Sequence, residues 1–308
     1  MGIEDTMEGQ YPGIPPEASS SVAEFRRLAA HFRELARPLG YADLNKYWWY
    51  HTVDMGNSLI TPGCYDYRQN MPAFKFQTDM RGMNVLDVGS ATGFFAFEFE
   101  KRGANVISTE ISSFDDWDRF PGETLDQTLD KFRRDFDNME RGLPAEERRG
   151  PLARTFTAGE AYYYALDGPF RFCHTILQST VRREYSTVYD LSKKKLERGD
   201  FDLVFMGDVL LHTLYPLKAL AAAAELCSGT MIIAQELPDV SEPQSVMLYI
   251  GGDRLSEDNG VWWLPNRTCL EQMLRKLGFR DVSLVGEHSG FMRPFGISYR
   301  RQIIHAVR

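Results

Sequence analysis

Apolar residues first recur at helical spacing at Val22, Phe25, Leu28, Ala29, Phe32 and Leu35, which predicts an amphipathic helix from Ser21. Ser21 stands where an N-cap belongs, and Glu24, three residues on, would complete a capping box. Ahead of it, Pro12, Pro15, Pro16 and two serines mark residues 1–20 as a flexible tail. A second short helix is predicted from Leu44 to His51. Residues 21–80 therefore read as a helical N-terminal cap, joined to the main domain through the turn-rich Thr61-Pro62-Gly63.

From residue 81 the pattern changes. Asn84-Val85-Leu86-Asp87-Val88 is a short apolar run ending at a glycine, as in a buried parallel strand. Gly93 to Glu100 reads as a helix stopped by Gly103, and Asn105 to Glu110 as a second strand, which makes a βαβ unit. Val181–Tyr189, Phe201–Met206 and Thr230–Ala234 supply three more strands. Pro216 opens an alanine-rich helix, and Thr268-x-x-Glu271 forms a capping box for a helix that Gly278 closes. Two terminal strands, Asp281–Val285 and Gln302–Val307, end the chain. The fold class is α/β, with a mainly parallel sheet and an antiparallel C-terminal strand pair. Segments 112–180 and 237–264 read as insertions; the charged stretch Glu123 to Arg149 looks like a surface helix.

In such a sheet, ligands bind beyond the carboxyl ends of the strands. Three ends carry suitable groups: Asp87-Val-Gly89-Ser-Ala-Thr-Gly93 after the first, Glu110 at the second, and Met206-Gly207-Asp208 at the fourth. Glycines at a strand-to-helix turn let a ligand approach the backbone, and the helix start offers free N–H groups. A carboxylate at Glu110 can accept both hydroxyls of a ribose. A dinucleotide site should show G-x-G-x-x-G, and Ala91 breaks that fingerprint. S-adenosylmethionine lacks a pyrophosphate but has a ribose, an amino-acid tail and a sulfonium.

V-L-D-V-G-S-A-T-G, S-T-E and F-D-L-V-F-M-G-D together resemble the class I S-adenosylmethionine-dependent methyltransferases over about residues 81–308. Trp49-Tyr50-His51, Asp54, Thr61-Pro62-Gly63 and Gly207-Asp-Val-Leu-Leu-His212 with Pro216 further resemble the branch of tRNA wobble-uridine carboxymethyltransferases and their small-molecule relatives. The resemblance implies a Rossmann-like sheet of seven strands. It also implies that Gly89, Ser90 and Gly93, with Phe94 beside them, line the methionine tail of S-adenosyl-L-methionine, with Asp87 at its amino group and Glu110 at the ribose. Tyr189, Asp190 and Leu191 would bracket the adenine, and Gly207 and Asp208 the floor near the sulfonium. The tRNA enzymes have tyrosine where this chain has Leu211, which favours the plain methyl donor over its carboxylated form.

Candidate bases are His212, His51 and Glu236, each at or near a strand end or in the cap; each also reads as a packing or capping residue. Aromatic residues concentrate at Trp48, Trp49 and Tyr50, and at Trp262 and Trp263 behind Gly251-Gly252 and Gly260. Such rings suit a pocket for a cation and a flat acceptor, or simply cap packing. Cys173-His174 reads as structural, and no spacing suggests a metal site.

Charge narrows the acceptor. The chain has 308 residues with 35 Lys+Arg against 43 Asp+Glu, a formal charge of −8. A nucleic-acid binder usually shows a basic stripe, whereas Arg133-Arg134, Arg148-Arg149, Arg182-Arg183 and Lys193-Lys194-Lys195 are short and scattered, as on solvated faces. A small-molecule acceptor is expected, with a tRNA uridine modification and a non-catalytic cofactor-binding module as alternatives. No apolar run is long enough to span a membrane. Neither a signal segment nor a paired-cysteine pattern is visible, so the sequence predicts a cytoplasmic protein. The sequence leaves the oligomeric state open: the N-terminal helices could swap or pair between two copies.

Overall fold

A computed structural model describes residues 14–141, 143, 157–240, 244–258 and 260–308. Most of the expected tail and Arg148-Arg149 lie outside them. Residues from Ile14 on are structured: a 3₁₀ turn, Pro16–Ala18, leads directly into α1, Ser19–Ala36. Ser21 therefore sits inside the first turn and caps nothing; Glu24 instead pairs with Arg27 at 2.7 Å. The expected apolar stripe of α1 is buried from Val22 to Phe32, while Leu35 is half-buried and Ala36 closes the buried face in its place.

The predicted helix at 44–51 is reduced to a 3₁₀ turn, Leu44–Lys46, capped by Asp43. Beyond it the chain is extended, because its backbone pairs with residues 63–65: the Cys64 N–H donates to the Trp49 carbonyl and the Tyr65 N–H to the Tyr50 carbonyl. Side chains then alternate sides, as extended backbone requires. Trp49 enters the main core with Phe32 and Phe172, while Trp48 and Tyr50 face a second cluster. A Cβ on Gly63 would fall 2.0 Å from the His51 carbonyl carbon, so only glycine permits this crossing.

β1 (Asn84–Val88), α2 (Phe94–Lys101) and β2 (Asn105–Glu110) form the expected βαβ unit. The insertion after β2 holds α3 (Leu125–Arg141) and α4 (Ala158–Tyr162). A π-helical turn, Tyr163–Asp167, then joins α4 to α5 (Gly168–Leu177). The remaining elements are β3 (Arg182–Tyr185), β4 (Phe201–Gly207), α6 (Pro216–Glu225), β5 (Cys227–Gln235), β6 (Met247–Tyr249), β7 (Trp263–Pro265), α7 (Arg267–Lys276), β8 (Asp281–Met292) and β9 (Ile297–Val307). α7 is capped by Asn266, whose side chain accepts the Cys269 N–H at 2.9 Å; Thr268 is inside the helix.

Seven strands run in the order β3-β2-β1-β4-β5-β9-β8, parallel up to β5 and antiparallel beyond it. β6 and β7 form a separate hairpin-like pair. One face of the sheet packs Phe95, Phe99 and Phe205 beneath α1 and the extended segment. The other packs Leu86, Val204, Leu220 and Leu270 under α6 and α7. β1 is central, with Asp87 in register with Ser108 and Phe205. No described helix is long and apolar enough to cross a membrane.

Candidate active site

At the carboxyl ends of β1, β2 and β4 lies a cavity of about 540 Å³, walled by the extended segment, α3 and the β8–β9 pair. Its floor begins with the turn after β1. Gly89 has φ +66°, and a Cβ there would meet the Val209 side chain at 2.7 Å. Ala91, where the glycine pattern fails, is also left-handed at φ +48°, a conformation costing a non-glycine residue roughly 1–2 kcal/mol. Two groups hold it. Its N–H donates to Glu110 Oε2 at 2.8 Å, and Arg183 Nη1 donates to its carbonyl at 2.9 Å.

Arg183 does not share a solvated face with Arg182, as their run in the sequence suggests. It is buried: β3 turns it inward, its guanidinium stacks 4.1 Å over Phe170, and it braces the turn from below.

Asp87 is 1% exposed and lines the cavity. Burial, partly countered by the Ala96 N–H and by Arg183, raises its pKa to about 7. Its Oδ2 has no protein partner. An orphaned buried carboxylate oxygen beside a backbone that admits no Cβ suits the cationic amino group and tail of S-adenosyl-L-methionine. Glu110, at the rim of the same cavity, keeps acceptor capacity on both oxygens for a ribose. The residues fit that cofactor.

Ser90, Tyr189, Gly207 and Asp208 also line the cavity. Tyr189 hydrogen-bonds Asp118, whose Oδ2 also accepts the Leu214 N–H at 2.7 Å. Gly93 and Phe94 lie beneath the turn: Gly93 packs on Phe170 and Phe97, and Phe94 is buried near Tyr67. Asp190 accepts the Thr187 hydroxyl, and Leu191 belongs to the core on the far face of the sheet. The structure does not bring these four to the cavity.

Among the aromatic candidates, Trp48 and Tyr50 line it. Trp49 is in the core, Trp262 is fully buried behind Leu211, and Trp263 pairs with Tyr249 on the β6–β7 ribbon. Glu236 is displaced as well, with a side chain 57% exposed and 3.9 Å from Arg301.

Both candidate histidines reach the cavity. His51 contacts the Thr92 hydroxyl at 3.0 Å, and burial takes its pKa down to about 3. His212 is the better-posed base. Its Nδ1 lies 2.7 Å from the Gly260 carbonyl, an acceptor only, so Nδ1 carries the proton and Nε2 keeps a free lone pair. Burial lowers its pKa and keeps it neutral, although the Gly260 carbonyl and Asp208 pull the other way.

Three lining residues, Arg301, His288 and Tyr67, stand outside the motifs of the sequence. Arg301 donates to Asp208 Oδ2 at 2.7 Å; burial opposes its charge, but Asp208 outweighs that and raises its pKa. His288 sits beside Asn70, its pKa lowered by burial to about 4. The third, Tyr67, has with Tyr50 and Tyr65 a phenol that burial pushes up, so all three remain neutral O–H groups. For Arg301 a signal existed: it shares the period-two face of β9 with Tyr299 and Ile303, which are buried.

A mostly parallel sheet that closes on an antiparallel strand pair, with a glycine turn and two strand-end carboxylates at its carboxyl edge, is the plan of the class I S-adenosylmethionine-dependent methyltransferases. The chain is of that class. A family model described as a methyltransferase domain matches residues 65–284, well over half the chain, and the chain belongs to that family. It is similar to the tRNA U34 carboxymethyltransferase of Idiomarina loihiensis, 30% identical over 94 residues, which is 30% of this chain and 28% of that protein. A Pseudomonas putida protein of the same name is 34% identical over 86 residues, 28% of this chain and 26% of its own. The matched segment thus spans little more than a quarter of these relatives. Among solved structures, the magnesium protoporphyrin IX methyltransferase of Synechocystis PCC 6803 with bound SAM is 14% identical with a TM-score of 0.40, covering 74% of this chain and 71% of that one. The 1,6-didemethyltoxoflavin-N1-methyltransferase of Burkholderia thailandensis is 16% identical with a TM-score of 0.38, covering 74% and 72%.

Proposed function

We propose that this methyltransferase transfers the methyl group of S-adenosyl-L-methionine to a small, flat, largely apolar acceptor, with His212 as the general base. The observation that carries the reading is the free Nε2 of His212 in a cavity whose walls carry many aromatic rings, among them Trp48, Tyr50, Tyr65, Phe114, Trp117 and Phe136. Bound S-adenosyl-L-methionine supplies a methyl carbon already activated by its sulfonium.

The protein then has two tasks, positioning and deprotonation. Asp87, the Gly89 turn and Glu110 hold the cofactor. The aromatic walls seat the acceptor through stacking and burial rather than charge. His212 Nε2 would take up the proton that the acceptor's oxygen, nitrogen or carbon gives up on methylation. Tyr50, Tyr65 and Tyr67, held neutral, serve as hydrogen-bond partners and not as bases.

The test incubates the protein with trideuteromethyl-labelled cofactor and a small-molecule extract, followed by mass spectrometry. A labelled low-mass aromatic product is expected, and His212→Ala should reduce it about 10²-fold or more. Wild-type labelling by His212→Ala would remove the base role. Label confined to an RNA fraction would favour the second reading, tRNA modification, which rests on the short segment shared with the tRNA U34 enzymes. Label nowhere, with cofactor bound, would leave a binding module.

A further inference from the structure

α3 carries a buried charge that the proposed chemistry does not use directly. Lys131 Nζ lies 2.6 Å from Glu123 Oε1 and 2.7 Å from Asp258 Oδ1, and all three side chains are under 5% exposed. Burying one cation between two carboxylates is not an efficient way to stabilise a fold, since well-packed apolar residues often do as well or better. What the cluster does achieve is geometric.

Asp258 Oδ1 also accepts the Gly260 N–H at 2.9 Å. Gly260 is held at φ +71°, and a Cβ there would come 2.9 Å from Trp117 Nε1. Its carbonyl is the group that receives Nδ1–H of His212. Two residues on, the Trp262 N–H donates to the Leu211 carbonyl and fastens the same stretch against the histidine's own turn. The connection runs from Lys131 through Asp258 to the Gly260 backbone and so to the imidazole.

We infer that Lys131 is a positioning residue: by clamping Asp258 it fixes the Gly260 carbonyl that sets the tautomer of His212 and leaves Nε2 free. This rests on the reading of His212 as the base. Other charged groups around His212 are Asp208 and Arg301, paired with each other at its cavity side, and Asp118, which accepts the Leu214 N–H. None of them contacts the Gly260 carbonyl in the hydrogen bonds of the described residues, so the clamp is separable from them.

Long-range ¹H–¹⁵N spectra of the side chains in ¹⁵N-histidine protein read the tautomer without any acceptor. Only six histidines are present, and His212→Gln assigns the signal. Wild type should show a single Nδ1–H form at neutral pH. Lys131→Met should give a mixture of tautomers, and Lys131→Arg should restore the single form. If Lys131→Met fails to fold, Asp258→Ala, which leaves Lys131 paired with Glu123, should give the same mixture. Affinity for S-adenosylhomocysteine should stay within about twofold of wild type, while methyl transfer falls roughly 10- to 100-fold. An unchanged single tautomer in the folded variant would overturn the relay and leave the base role standing. Undiminished methyl transfer by His212→Ala would remove the base role and leave the spectroscopic result untouched.

Discussion

Asp87 concentrates the conflict between stability and binding into one side chain. Its ordinary pKa in an unfolded chain is about 3.9, and burial raises it to about 7 in the fold. Between those values the folded protein holds more protons than the unfolded one. Stability of the ligand-free protein therefore declines as pH rises from about 4 to about 7, and is flat above. Asp87→Asn removes the buried charge while keeping the shape. It should raise ligand-free stability by an amount on the order of a few kcal/mol at pH 8, and much less at pH 4. The same change should weaken S-adenosylhomocysteine binding by about tenfold or more, because the ligand's ammonium loses its carboxylate. Thermal melts at the two pH values and a calorimetric titration check both. Equal stabilisation at pH 4 and pH 8 would sink the argument. Asp87, Gly89, Glu110 and Gly207 were legible as cavity residues because each stands at or just beyond the carboxyl end of a strand with a clear apolar pattern. Arg183 was not, because one residue separates an outward from an inward side chain on a strand, and the run Arg182-Arg183 gave no sign of which arginine faced in.

The elements most easily read were those whose apolar pattern matches their final burial: β1, α2, β2, β4 and α6. The segment around residues 47–52 defeated that approach. A run of Tyr47, Trp48, Trp49 and Tyr50 has no polar position to reveal a period, and its extended form depends on pairing with residues 63–65. α3 misled in the opposite way. Its charged residues suggest a surface helix, yet Leu129, Phe132, Phe136 and Met139 turn toward the cavity and Lys131 is locked inside. The alternation at Trp48 and Trp49 gives an element-scale prediction. Trp49, 1% exposed, packs on Phe32, Tyr47 and Phe172, so Trp49→Ala should cost about 3–5 kcal/mol of stability. Trp48→Ala opens the cavity wall next to Phe136 and should show its larger effect on acceptor turnover. Denaturant unfolding and labelled-methyl assays separate the two; a reversed ranking in both would show that the alternation had been misassigned.

At the scale of the whole molecule, the question is whether an acidic chain can take a polyanionic acceptor. The formal charge of −8 is a long-range term, and a local basic patch would override it. The described basic runs do not form one. Arg133 pairs with Asp130, Arg134 donates to the Ser256 carbonyl, Arg182 pairs with Glu184, Arg183 is buried, and Lys193 pairs with Asp200, which leaves Lys194 and Lys195 as two exposed cations rather than a patch. Cations already engaged by the protein gain little by moving to phosphate, and few counterions would be released on binding. The cavity points the same way, since its arginines, Arg133 and Arg301, are both paired with carboxylates. Unmodified tRNA should therefore bind no more tightly than about 10⁻⁴ M at physiological salt, the weak end of non-specific association. A gel-shift series from about 50 to 200 mM salt makes this decisive. Micromolar binding at low salt, falling about 10³-fold or more over that range, would mean that a phosphate-contacting surface exists, and the acceptor would then have to be sought in RNA. Absence of a shift throughout, together with label in a low-mass aromatic product, would place the acidity where the strand-end carboxylates already put it, in the service of a cationic cofactor.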